Sequence, residues 1–223
     1  VQFELDGKMC SIGAIAKGSG MINPNMATTI NILTTDVAIS SSLLDRGLRE
    51  AVAVSLNALT VDGSMSTNDS IFLFANGLAG NAEINSEDKN FNTFVSALKA
   101  ICVQVARNLA RDGEGATKLV TVTVDEAKSQ KDAEKAAKEI ANAALVKTAI
   151  FGKDPNWGRI FAAVGGCNVE LDPHNTTVQF AGITVAEKGK STWKYPVFDV
   201  EWQASHKKNK QSAFTKKYLD VIK

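Results

Sequence analysis

The sequence predicts a mixed-sheet α/β protein, and three observations carry that expectation. Long segments repeat apolar residues at helical spacing, as in Phe94, Leu98, Ile101, Val105 and Leu109. Between them lie short runs rich in β-branched residues, such as Thr29 to Thr35. The two kinds alternate without a strict strand–helix–strand rhythm, which favours a mixed sheet over an all-parallel one.

In chain order, Phe3 to Ile15 alternates loosely around Asp6-Gly7, a dipeptide suited to φ > 0, so a hairpin is expected. Lys17 to Asn25 is dense in Gly, Pro and Asn and must be irregular. Thr29 to Thr35 reads as a strand. Ser41 and Ser42 then cap a helix running to about Leu59, with Leu44, Leu48, Val52 and Leu56 on one face. Ile71 to Ala75 reads as a short buried strand ended by Asn76-Gly77. A second helix spans about Phe91 to Arg111 and stops at Asp112-Gly113. Leu119 to Val124 is expected to be a strand. Asp132 caps a third helix to about Lys147, with Ile140, Ala144 and Val146 inward. Pro155 opens a fourth through Trp157 to Val164, since proline suits a first turn. Asn168 to Trp202 is mostly strand-like. No repeat, low-complexity linker or boundary appears, so one compact domain is expected.

Composition narrows the function classes. Of 223 residues, 44% are apolar and 22% charged, which is ordinary for a globular domain. A net charge of +1 supplies no field that would steer the chain to nucleic acid, a membrane surface or an acidic polymer. The lysines near the end (Lys207, Lys208, Lys210, Lys216, Lys217 and Lys223) read as a solvated face. Cys10, Cys102 and Cys167 are sparse and form no CxxC pair, and His174 and His206 are the two histidines; no metal site is expected. The longest apolar runs are too short to span a bilayer as a helix. The chain opens at Val1 with strand-like sequence and reads as a fragment or processed product. A cytoplasmic address is the default expectation, or an organellar one in a eukaryotic host.

Three segments concentrate glycine and polar residues: Lys17 to Thr29, Asp62 to Asp69, and Asp112 to Lys118. None has the spacing of a phosphate-binding loop or a dinucleotide fingerprint, and Glu114 would repel phosphate. Taken singly, each is a tight turn. Together they offer a lysine, a threonine after a small residue, and a glutamate between glycines. Those are parts of an acyl-transfer site with a threonine nucleophile. A threonine hydroxyl needs a base beside it. Its own α-amino group, with a pKa of roughly 7.7–8.0, serves when the threonine is N-terminal. That requires a cut between Ala27 and Thr28, where the hydroxyl would attack the preceding carbonyl and water would open the resulting ester. Lys17 would stabilise an oxyanion or bind a substrate carboxylate, and Glu114 would bind a substrate ammonium.

The run Lys17-Gly18-Ser19-Gly20-Met21-Ile22-Asn23-Pro24-Asn25-Met26-Ala27-Thr28 resembles the processing-site signature of the ornithine acetyltransferase (glutamate N-acetyltransferase) family. The likeness continues through Leu33 to Asp36, Thr60 to Gly63, Ser66 to Asp69, Asn76 to Gly80, Ala110 to Lys118, Leu145 to Ala149 and Gly152 to Ile160, in the family's order. The resemblance implies a four-layer sandwich of mixed sheets between helices, of the DmpA-like kind. It implies self-cleavage before Thr28, with residues 1–27 ending an α chain and residues 28–223 forming the β chain. It also implies ping-pong acetyl transfer from N2-acetylornithine to glutamate, in arginine biosynthesis, through an acetyl-threonine at Thr28. Lys17, Thr28 and Glu114 match substrate-binding positions. No metal or organic cofactor is implied, acetyl-CoA stays open as a second donor, and the associated chains would form α2β2 or larger.

Two departures accompany the likeness. The family's oxyanion-hole Thr-Gly pair belongs to the upstream part, and loss of such donors costs about 2.7–4 kcal/mol of transition-state stabilisation. The isolated fragment is therefore expected to be inactive. The last residues, Ser212 to Lys223, lack the family's closing block and terminal threonines. Thr29-Ile30 also stands where the family usually has Met-Leu. Two other readings stay open: an amidohydrolase or aminopeptidase of related fold, with water as acyl acceptor, and an inactive truncated relative serving as a scaffold.

Overall fold

The computed structural model of the chain describes residues 1–23 and 28–192. Ala27, His206, the lysine-rich end and the closing segment 212–223 lie outside the described residues, as does the strand expected beyond residue 192. The chain divides into two compact units, Val1–Ala116 and Thr117–Lys223, where the sequence showed no boundary. The division falls in the glycine-bearing run after the second long helix, which looks like an ordinary helix stop.

In the first unit, β1 (Gln2–Leu5) and β2 (Lys8–Lys17) form the expected antiparallel hairpin. Asp6 and Gly7 take φ of 48° and 78°, the conformation that matches the strands' right-handed twist. β3 (Ile30–Thr35) pairs antiparallel with β2 and parallel with β4 (Ser70–Ala75), giving a mixed sheet in the order β1-β2-β3-β4.

Helix α1 (Ser41–Ala53) ends six residues before Leu59; a 3-10 turn at Leu56–Ala58 follows it. The N-cap is Ser40, not Ser41 or Ser42. Of the stripe expected on Leu44, Leu48, Val52 and Leu56, Val52 and Leu56 are buried, while Leu44 and Leu48 are half-buried beside the buried Leu43, Gly47 and Ala51. A Cβ on Gly47 would stand 3.2 Å from Val95 Cγ2 and 3.4 Å from the Phe94 ring, so the two helices approach through this glycine. Helix α2 (Lys89–Arg111) is capped by Asp88, whose side chain accepts from the amides of Asn90 and Phe91. It buries Phe94, Leu98, Ile101 and Leu109 as its periodicity predicts. The helices back one face of the sheet, where Cys10, Ile12 and Leu33 join Leu43, Phe94 and Leu98 in a single core.

The other face of that sheet is open. Ile15, Ile32 and Phe72 lie in register across β2, β3 and β4, with Ile30 and Phe74 on the same side. These five side chains are 40–71% exposed. The expectation that β4 is buried therefore fails at Phe72 and Phe74. As the outer strand of the sheet it packs Ile71 and Leu73 against the core and turns Phe72 and Phe74 outward.

The second unit has α3 (Gln130–Asn142), α4 (Ala144–Phe151) and α5 (Trp157–Gly165), then an antiparallel sheet of β5 (Thr177–Phe180), β6 (Ile183–Glu187) and β7 (Lys190–Ser191). The third predicted helix is thus two. Its cap is Ser129, which accepts from the Asp132 amide, and the chain breaks at Ala143, an extended residue that leaves Ala144 exposed instead of inward. Among the described residues, Leu119 to Val124 pairs with no strand; its apolar side chains Val122 and Val124 pack on the cluster that holds Ile140 and Val146. Two sheets with helices make the α/β class expected from the pattern.

Candidate active site

The site grows from the end of β2 and the start of β3. Hairpin pairing runs on to Lys17 opposite Ile30, so the chain leaves β2 and returns to β3 at one point of the sheet. Gly18 lets the departing loop pass Thr29 closely: it has φ of +150°, and a Cβ there would meet Thr29 Cγ2 at 2.9 Å. Lys17 and Thr28 come together. Lys17 Nζ donates to the Thr28 carbonyl at 3.3 Å, and Thr28 Oγ1 donates to the Met21 carbonyl at 2.7 Å. Thr28 is half-buried, Lys17 exposed.

Met21 takes φ of 54°, a left-handed conformation unfavourable for a side-chain-bearing residue. Asp62 holds it there. Its carboxylate accepts from the Met21 amide at 2.6 Å, the Ile22 amide at 3.2 Å and the Ser64 amide at 2.9 Å. The Val61 amide donates to the Ile22 carbonyl at 2.7 Å and completes the clasp. The carbonyl facing the Thr28 hydroxyl is thus fixed by a residue more than thirty positions downstream.

Glu114 joins the same loop from the far end of α2. Its amide donates to the Ser19 carbonyl at 2.7 Å. Its side chain lies over Gly20, where a Cβ would stand 2.8 Å from Glu114 Oε2 and 3.9 Å from Asp62 Oδ2. Two carboxylates therefore flank one glycine, and an alanine there would displace Glu114. Lys17, Thr28 and Glu114 are thus gathered on one loop. Lys17 touches Thr28 directly, and Glu114 reaches it through Ser19 and Gly20. Ala27, the other side of the expected cut, lies outside the described residues.

Beneath the threonine is a buried polar layer that sequence reasoning missed. Thr29 and Asn31 are buried, and Asn31 Nδ2 donates to Thr29 Oγ1 at 2.9 Å and to the Ser70 carbonyl at 3.2 Å. Asp69 Oδ1 accepts from the Thr29 amide. Asp62 and Asp69 both stand in blocks that carry the family resemblance. No spacing rule assigns them a task, because the parallel pairing of β3 with β4 is what brings them to this loop.

The ArgJ family model matches residues 1–213. The chain belongs to the ArgJ family. It is 47% identical over 184 residues to the arginine biosynthesis bifunctional protein ArgJ of Geobacillus kaustophilus, covering 82% of this chain and 45% of that protein. It is 42% identical over 214 residues to the protein of the same name from Symbiobacterium thermophilum, covering 96% of this chain and 52% of that one. The chain thus spans about half the length of the curated ArgJ relatives it matches. The crystal structure of the ArgJ protein of Bacillus halodurans is similar at a TM-score of 0.71 and 37% identity, over 78% of this chain and 80% of that one. Among the described residues, no group of His, Cys, Asp and Glu could hold a metal, and no helix is long and apolar enough to cross a membrane.

Proposed function

We propose that this chain is part of an acetyltransferase that moves the acetyl group of N2-acetylornithine to glutamate, with Thr28 as nucleophile. The observation that carries the reading is the constraint on Thr28: its hydroxyl is held by the Met21 carbonyl and its own carbonyl by Lys17. A held hydroxyl loses little entropy on the way to attack. Maturation comes first. Thr28 Oγ1 adds to the Ala27 carbonyl, the peptide bond becomes an ester, and water releases residues 1–27 as the end of the α chain. Residues 28–223 then begin with a free threonine amine.

In the first half-reaction Oγ1 forms a bond to the acetyl carbon while the α-amine takes the hydroxyl proton. The ammonium passes that proton to ornithine as the carbon–nitrogen bond breaks. Glutamate reverses the sequence in the second half. On this reading Lys17 meets a developing oxyanion or a carboxylate, and Glu114 meets the substrate's ammonium. Acetyl-CoA as a second donor is separable by the same assay. The open apolar face Ile15, Ile32 and Phe72 supports the further reading that the α chain stays bound after the cut, because monomers rarely expose such a contiguous patch. A cytoplasmic site of action fits small-molecule biosynthesis.

The test is the intact mass of the product of the complete gene, followed by assay with N-acetylornithine and glutamate. Two species divided between Ala27 and Thr28, with acetyl appearing on glutamate, are expected. Thr28→Ala should give one uncut species and no transfer. Transfer by that variant would remove Thr28 from the mechanism, and acetate release independent of glutamate would make the protein a hydrolase.

A further inference from the structure

Asp69 carries a feature that the chemistry above does not use. Its Oδ1 accepts from the amide of Thr29, the residue after the nucleophile. Its Oδ2 is buried and has no hydrogen-bond partner among the described residues. A buried acceptor left unsatisfied is unfavourable, the more so when it is charged. Such an atom in a native fold calls for a ligand. Cleavage supplies one. Before the cut, Thr28 N is a neutral amide; afterwards it is an ammonium, one residue from the amide that Asp69 already holds.

We propose that Asp69 is a positioning residue of the matured site: its Oδ2 accepts from the α-ammonium group liberated at Thr28 and holds it beside Oγ1. The proposal rests on the reading of Thr28 as an N-terminal nucleophile. Asp69 takes no proton itself. It orients the amine that receives the Oγ1 proton and stabilises the ammonium that then donates to the departing amine. Other charges face this point. Lys17, from β2, opposes Asp69 through its contact with the Thr28 carbonyl. Asp62 and Glu114 lie against Met21 and Gly20. Lys17 is exposed and its field is screened by water and salt, whereas Asp69 is fixed against the adjoining amide, so Asp69 prevails.

The experiment uses the full-length, self-processed protein. Asp69→Asn keeps an acceptor for the Thr29 amide and removes the charge. The ammonium then loses its counter-ion and releases its proton more readily, so the acid limb of kcat/KM against pH should move down by about one unit. Asp69→Glu, which keeps the charge, should leave the limb in place. An unmoved limb in the Asn variant overturns the proposal, as does an equal shift in both variants. If Asp69→Asn does not mature, the wild-type α-amine is titrated through its pH-dependent rate of acylation by an amine-selective reagent. A midpoint above the ordinary range of roughly 7.7–8.0 is expected, and one below it overturns the assignment. Mass spectrometry of the peptide beginning at Thr28, after incubation of wild type with N-acetylornithine, separates the two failures. No acetyl increment sinks the nucleophile reading itself; an increment with an unmoved limb sinks the role of Asp69 alone.

Discussion

The two faces of the β1–β4 sheet are built from the same strands and have opposite fates. On one, Cys10, Ile12 and Leu33 are closed over by α1 and α2, and Phe94 and Leu98 are wholly buried. On the other, Ile15, Ile32 and Phe72 form an apolar row at 71%, 40% and 49% exposure with no described element of the first unit upon it. Period-two alternation cannot produce this difference, since both faces of β3 carry isoleucine or leucine. A strand apolar on both sides belongs in a sheet covered on both sides. Lys17 points to the open side at the Thr28 end of the sheet, in register with Ile30. The candidate site therefore borders the uncovered face. The helix-backed face stabilises this chain, whereas the open face leaves its apolar side chains in water.

The contrast is broken most directly on the closed side. Phe94→Ala should destabilise the 223-residue chain by about 3–5 kcal/mol, read as a lowered midpoint in urea, because the apolar side chains packed around Phe94 can close the cavity only in part. A loss under about 1 kcal/mol would mean that the closed face is not the one that holds the unit together. Cys102, on the same side of α2, gives a gentler probe. Burial pushes its thiol up to about 11, partly offset by a hydrogen bond with Ser55. The unfolded chain ionises first, so stability should be level below about pH 9 and fall toward pH 11, by on the order of 1 kcal/mol per pH unit. Alkylation of Cys102 at neutral pH should require unfolding. Free reaction in the native state would show that the closed face opens.

The open side should show the smallest effect on stability and a large one on assembly. Replacing both Phe72 and Phe74 by serine should change the stability of this chain by no more than about 0.5 kcal/mol, since both rings are already largely in water. In the complete protein the same pair should weaken retention of the upstream part, seen as dissociation after processing on size exclusion. Equal costs in both settings would erase the distinction between the faces.

Much of this was legible in the residues. The hairpin at Asp6-Gly7, the buried stripe of α2 and the irregular run from Gly18 to Asn23 follow from local turn preference and short-range periodicity. Errors arose where neighbours decide. Leu119 to Val124 has the composition of a strand, yet among the described residues no neighbour pairs with it. The helix expected to Lys147 breaks at Ala143, where an extended backbone reorients the following turn. At the site, Lys17, Thr28 and Glu114 were found by residue type and resemblance, whereas Asp62 and Asp69 were not, because their partners lie about forty residues away.

The amino-acid order alone thus determined the α/β class, most elements and the chemistry-bearing loop, all of which depend on residues within a turn or two of one another. Tertiary structure alone decided which sheet face is closed and which residues fix the Met21 carbonyl and the Thr29 amide. Those outcomes depend on strand register and helix docking, which sum weak contacts between distant segments and leave no spacing signature in the chain.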